Sequence, residues 1–168
     1  DALEQASEQF LKFAEVNNSD VSTSIEVVQK AMADAQIPTE ELGRMLDTLT
    51  AVSQASGMST DDLASAVQKN GVAMREMGYS TEETIALLAT MEKNGVDTST
   101  VMTGMRKAFQ NLSKDGKDGK VEMQAFFDSV SSGSATAEQA IELFGSKAGP
   151  TIFTLAQEGK LNFQEMMD

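Results

Sequence analysis

The chain has 168 residues, a formal net charge of -13, 40% hydrophobic residues, 11 Met, 8 Phe, one Tyr and no Trp, Cys or His. That length supports one sizeable core or two small cooperating helical units, and the charge repels phosphate backbones and anionic membranes, which argues against this segment binding nucleic acid or docking on a membrane by itself. Without Cys and His there is no disulfide framework, no zinc site built on those ligands and no Ser–His or Cys–His nucleophile pair.

Asp1 to about Val16 places Leu3, Ala6, Phe10 and Phe13 at helical spacing, and Asn17–Asn18 breaks the pattern. Ser19 or Ser22 is positioned to cap a second helix with Val21, Ile25, Val28 and Met32 on its face, closed by Pro38. Thr39 opens a third, with Glu40 and Glu41 where negative charge meets the positive helix end. Leu42, Met45, Leu46, Leu49 and Val52 form the strongest apolar stripe, and Gly57 stops it.

Ser59 and Asp62 resemble a capping box for a helix whose face holds Leu63, Val67, Met74 and Met77. Gly71 falls on that face; either a neighbouring helix approaches closely there, or the helix breaks at Asn70–Gly71. After Gly78, Ser80 and Glu83 form a second box, followed by Ile85, Leu88 and Met91, with Leu87 at the stripe edge, up to Asn94–Gly95. Asp97 or Thr98 starts the next helix, facing inward with Val101, Met105, Phe109 and Leu112. Lys114 to Lys120 is the most polar stretch and reads as a loop. Met123, Phe126, Phe127 and Val130 mark another helix, and residues 131–134 a loop. Thr136 and Gln139 box a helix with Ile141 and Phe144, which Gly145 ends. A helix from about Ser146 to Glu158, with Ala148, Ile152 and Leu155 inward, has room for Pro150 in its first turn, Gly159 ends it, and Asn162 with Glu165 caps a last one.

The expected fold is therefore all-α: about eight short amphipathic helices in an irregular bundle or short helical array, with no β-sheet. Its organisation reads as a helical core over 1–112, a polar loop over 113–120 and a C-terminal helical part over 121–168. The run Thr39-Glu-Glu-Leu42 recurs as Thr60-Asp-Asp-Leu63 and Thr81-Glu-Glu-Thr84, every 21 residues. Similar caps on successive bundle helices, or a short superhelical array, would both produce it. No apolar run approaches the ~20 residues of a membrane helix, no signal peptide is visible, and the chain opens at Asp1 inside a helical pattern. It reads as a fragment of a longer protein.

The chemistry-bearing patterns have structural explanations. An ion-binding loop with Gly119 at its sixth position would place Lys114 first and Ala125 twelfth, neither a suitable ligand. The carboxylate pairs Glu40–Glu41, Asp61–Asp62 and Glu82–Glu83 each lie in a helix's first turn. Gly145-Ser-Lys-Ala-Gly149 lacks the strand and spacing of a phosphate cradle. Adjacent Phe126 and Phe127, with Phe144, point to core or local packing, or to a subunit seam. No catalytic, cofactor-binding or metal-ligating residue and no cofactor is expected, and no enzyme.

In order, Gly57-Met-Ser-Thr-Asp-Asp-Leu63, Gly78-Tyr-Ser-Thr-Glu-Glu83, Thr98 to Leu112, and Leu143-Phe-Gly-Ser-Lys-Ala-Gly149 resemble the core region of phage tail tape measure proteins of the long, non-contractile-tail type. The resemblance covers most of residues 20–160, and the repeated Asp-Gly-Lys at 115–120 departs from it. It implies a structural, non-enzymatic segment that occupies the tail tube lumen during assembly and helps set tail length. The implied partners are tail tube and tail-tip proteins and tail assembly chaperones, with self-association as an option. The implied place is the virion tail, by way of the host cytoplasm during assembly. A different reading of the same helices is a non-catalytic protein–protein interaction module of effector or chaperone type.

Overall fold

The computed structural model describes residues 2–162, with side chains from residue 4 onward. Among them are nine α-helices and no strand: α1 (Ala2–Val16), α2 (Val21–Asp34), α3 (Leu42–Ser56), α4 (Thr60–Glu76), α5 (Thr81–Lys93), α6 (Thr98–Leu112), α7 (Gly119–Ser131), α8 (Ala137–Phe144) and α9 (Ala148–Gln157). The all-α reading holds, with the helix number close to that expected. The helix expected from Asn162 onward lies outside the described residues.

Local chemistry explains most helix ends. Gly57, at φ +80°, closes α3 in the left-handed conformation that glycine adopts without a Cβ clash. The capping box at α5 is complete: the Glu83 amide donates to Ser80 Oγ (3.1 Å) and the Ser80 amide to Glu83 Oε1 (2.9 Å). The box at α8 is complete too, between Thr136 and Gln139. At α4 the Asp62 amide donates to Ser59 Oγ at 3.0 Å.

Several boundaries differ from expectation. Asp20 caps α2, accepting from the Thr23 amide, while Ser19 Oγ instead pairs with Ser24 Oγ; a carboxylate accepts from amides more strongly than a hydroxyl does. Thr39–Glu41 form a 3-10 turn after Pro38, and α3 begins only at Leu42. Helix α7 starts at Gly119, inside the stretch read as loop, because the Asp118 carboxylate accepts from the Lys120 and Val121 amides. Helix α9, expected from about Ser146, starts at Ala148.

The chain packs as two compact units, residues 1–75 with 80–89, and residues 76–79 with 90–168. The first is built on one cluster in which Phe10 and Phe13 of α1, Val28 and Met32 of α2, Leu46 and Leu49 of α3, Leu63 and Val67 of α4 and Ile85 and Leu88 of α5 are buried together. Each side chain of this size removed from water contributes roughly 1.5–3 kcal/mol. Helix α4 runs unbroken through Asn70–Gly71. A Cβ placed on Gly71 would lie 2.4 Å from the Ala35 Cβ, so close approach by the end of α2 explains the glycine and the helix-break reading falls.

In the second unit α6, α7, α8 and α9 pack on one another. The polar connection at 113–120 lies within this unit, between α6 and α7. Buried Val101, Met105, Met123, Phe127, Phe144 and Ile152 fill it. Helix α5 departs from the amphipathic pattern: Ile85, Ala86, Leu87, Leu88, Ala89 and Met91 are all buried, so Leu87 is interior and not at an edge.

Candidate functional site

The positions singled out by sequence fall into three groups. The first is the set of paired carboxylates. Glu41 Oε2 lies 3.5 Å from an Arg75 guanidinium nitrogen and accepts from Thr81 Oγ1 at 3.4 Å. Glu82 pairs with Arg44 at 3.2 Å, and Glu83 completes its capping box. These acids tie the starts of α3 and α5 and the end of α4 together within the first unit. Two carboxylates poised as acid and base need a shared cleft, and the structure spends these ones on separate structural partners. Asp61, half-buried in the first turn of α4, keeps one buried oxygen, Oδ1, without a hydrogen-bond partner. Among the described residues no three Asp or Glu side chains gather as a metal-binding group would.

The second group is the polar connection. Asp115 is left-handed (φ +64°) and Asp118 caps α7. Lys120 Nζ donates to the Gly78 carbonyl at 3.3 Å and sits 5.1 Å from the centroid of the Tyr79 ring, a cation–π contact on a buried aromatic.

The third group is Leu143–Gly149, the last of the four ordered motifs that carry the family resemblance. Phe144 is fully buried, stacked on Phe127 (centroids 5.9 Å, 14° between planes) and tilted against Phe126 (5.6 Å). Both adjacent phenylalanines therefore reach the same ring, Phe127 from the interior and Phe126 from a half-buried position, which is local packing. Gly145, at φ +99°, ends α8. Ala148 then packs where Gly104 leaves room: a Cβ on Gly104 would lie 2.3 Å from the Ala148 Cβ and 2.8 Å from the Phe144 carbonyl oxygen. Gly149 meets the Ile141 backbone in the same way, at 2.6 Å. The segment is a tight crossing of α6, α8 and α9 made possible by small residues.

The Asp20 carboxyl is held below its ordinary value, chiefly by the Thr23 amide and then by the Thr23 hydroxyl. One surface feature was not anticipated from sequence. An open groove of about 420 Å³ runs between α1 and α3, lined among others by Phe13, Val16, Leu46, Asp47 and Ala51. Val16, which lines it, is 55% exposed.

Fold and site together define an all-α packing protein, whose acids cap helices and join ion pairs and whose most distinctive motif is a helix crossing. Residues 1–168 match the phage-related minor tail protein family, and the chain belongs to that family. It is also similar to a tape measure protein of Pneumococcus phage Dp-1, at 26% identity over 145 residues, covering 84% of this chain. The aligned part is 13% of that relative's length. No solved structure matches the chain.

Proposed function

We propose that the chain is a segment of a phage tail tape measure protein, the molecule that sets tail length and occupies the tail tube lumen during assembly. The observation that carries this reading is the similarity to the Dp-1 tape measure protein across most of the chain, within a family of minor tail proteins. The motifs Gly57–Leu63, Gly78–Glu83 and Leu143–Gly149 support it as resemblances. In this reading the segment is virion-associated and non-catalytic. Its partners are tail tube and tail-tip subunits and tail assembly chaperones, met first in the host cytoplasm. Among the described residues no helix is long and apolar enough to cross a membrane.

The lumen location is tested by protease treatment of intact and of DNA-ejected virions, probed with an antibody to this segment. Protection in the intact tail and loss after ejection are expected. Cleavage in intact virions would refute a lumenal position. A turnover assay of the chain on peptidoglycan tests the non-catalytic part, and any cleavage above buffer would overturn it.

A further inference from the structure

We infer that, within the parent protein, this segment is a folded-back block and not a measuring stretch: it adds the width of two compact bodies to the tail, not the length of its residues laid out as helix. This inference rests on the tape measure reading above. A chain that measures length through helix gains 1.5 Å per residue only where the helix is continuous. Read that way, 168 residues would span about 250 Å.

Three observations oppose such an extended state. Every joint between consecutive helices among the described residues carries a residue at positive φ, from Asn18 between α1 and α2 to Gly145 between α8 and α9. Left-handed residues end helices and do not continue them. The longest helix is α4, with 17 residues, only about 25 Å of rise.

Next, Gly71 and Gly104 sit inside helices, where glycine is unfavourable relative to Ala. In a laid-out helix nothing offsets that. In the folded-back chain each glycine admits a neighbour that a Cβ would strike, Ala35 at 2.4 Å and Ala148 at 2.3 Å. The two glycines have a physical reason only in the compact state.

Finally, the apolar stripes of α2, α3 and α4 close on one another: Val28, Met45, Leu49, Leu63 and Val67 are each at most 1% exposed. Laying the helices end to end would return these side chains to water.

A compact body of about 85 residues is roughly 30 Å across. Two such units, however arranged, add no more than about 60 Å along any axis. The two states therefore differ about fourfold in the length they contribute.

The test duplicates residues 1–168 in frame within the parent gene, and separately duplicates an equally long stretch of continuous helical pattern elsewhere in the parent. Tail length is read by electron microscopy, and the two matching deletions give the same comparison with opposite sign where a duplication blocks assembly. The expected result is a change of about 60 Å or less for this segment and about 250 Å for the control. A change near 250 Å for both overturns the folded-block inference and leaves the tape measure reading standing. No change with the control stretch overturns the tape measure reading itself.

Discussion

A pair of identical substitutions at two helical glycines should change stability in opposite directions. In Gly104→Ala, the new methyl meets the Ala148 Cβ at 2.3 Å and the Phe144 carbonyl oxygen at 2.8 Å. Neither neighbour is the end of a flexible side chain, so α9 must move by about 1 Å, and the end of α8 by roughly half as much, to restore ordinary contact. Overpacking of this kind costs about 1–3 kcal/mol, while the gain in helix propensity returns at most about 1 kcal/mol. The expected net loss is about 1–2 kcal/mol, lowering Tm by roughly 2–4 °C per kcal/mol for a chain of this size. In Gly43→Ala, the new methyl meets only the amide end of the Gln9 side chain, at 3.0 Å. Gln9 is exposed and can swing away, so the propensity and unfolded-state gain of about 0.5 kcal/mol remains. Urea unfolding followed by circular dichroism at 222 nm measures both. If Gly104→Ala is neutral or stabilising, the α6–α8–α9 crossing is not as close as described, and the reasoning from glycine to helix approach fails with it.

Three further outcomes are expected. Leu46→Asp places a carboxylate on the interior stripe of α3, where Leu46 is 4% exposed. A buried unpaired charge costs enough to abolish cooperative folding of the first unit, and a thermal melt indistinguishable from the parent would contradict the core assignment. Thr136→Ala removes one half of the capping box of α8 and should cost about 1 kcal/mol, seen as a lower urea midpoint at an unchanged m-value. Asp20 is held below its ordinary pKa by the Thr23 amide. Its contribution to stability is therefore complete above the unfolded-state pKa and is lost as pH falls through the lower folded value. Asp20→Asn should remove that acid-side loss, and identical midpoint-versus-pH curves for the two proteins between about pH 6 and pH 3 would show that the cap carries no linkage.

The fold was legible in the sequence at most of the places where a strong local pattern decided the outcome. The stripe from Leu42 to Leu49, the boxes Ser80–Glu83 and Thr136–Gln139, and the stops at Gly57 and Gly145 all act within one or two helical turns. What the sequence left open was decided by contacts between distant residues. Gly71 could have broken α4 or admitted a neighbour, and only the position of Ala35, thirty-six residues earlier in the chain, chooses between them. Leu87 looked peripheral because α5 was read as a helix with one buried face, whereas its burial extends nearly all round. The start of α7 was missed for a different reason: Asp118-Gly119 carries the composition of a turn, and it is the Asp118 carboxylate, accepting from two amides, that converts the turn into a cap. At the candidate site, Leu143–Gly149 was recognisable as a unit, but its partner Gly104 was hidden in a helix forty residues upstream.

The same glycines connect packing to the way a long helical protein can be divided. In a helix meant to be continuous, every glycine and every left-handed joint is a weakness, and alanine would remove the first at no steric cost. Here the opposite holds at Gly71, Gly104 and Gly149, where a Cβ would lie 2.3–2.6 Å from its nearest neighbour. Such positions make sense where helices must return against one another, and the Met-rich, Trp-free composition fills the space between them with adaptable side chains. Within a tape measure protein, short self-packed helices would mark off a block whose length is fixed by its own core, leaving the measuring to stretches free of such turns.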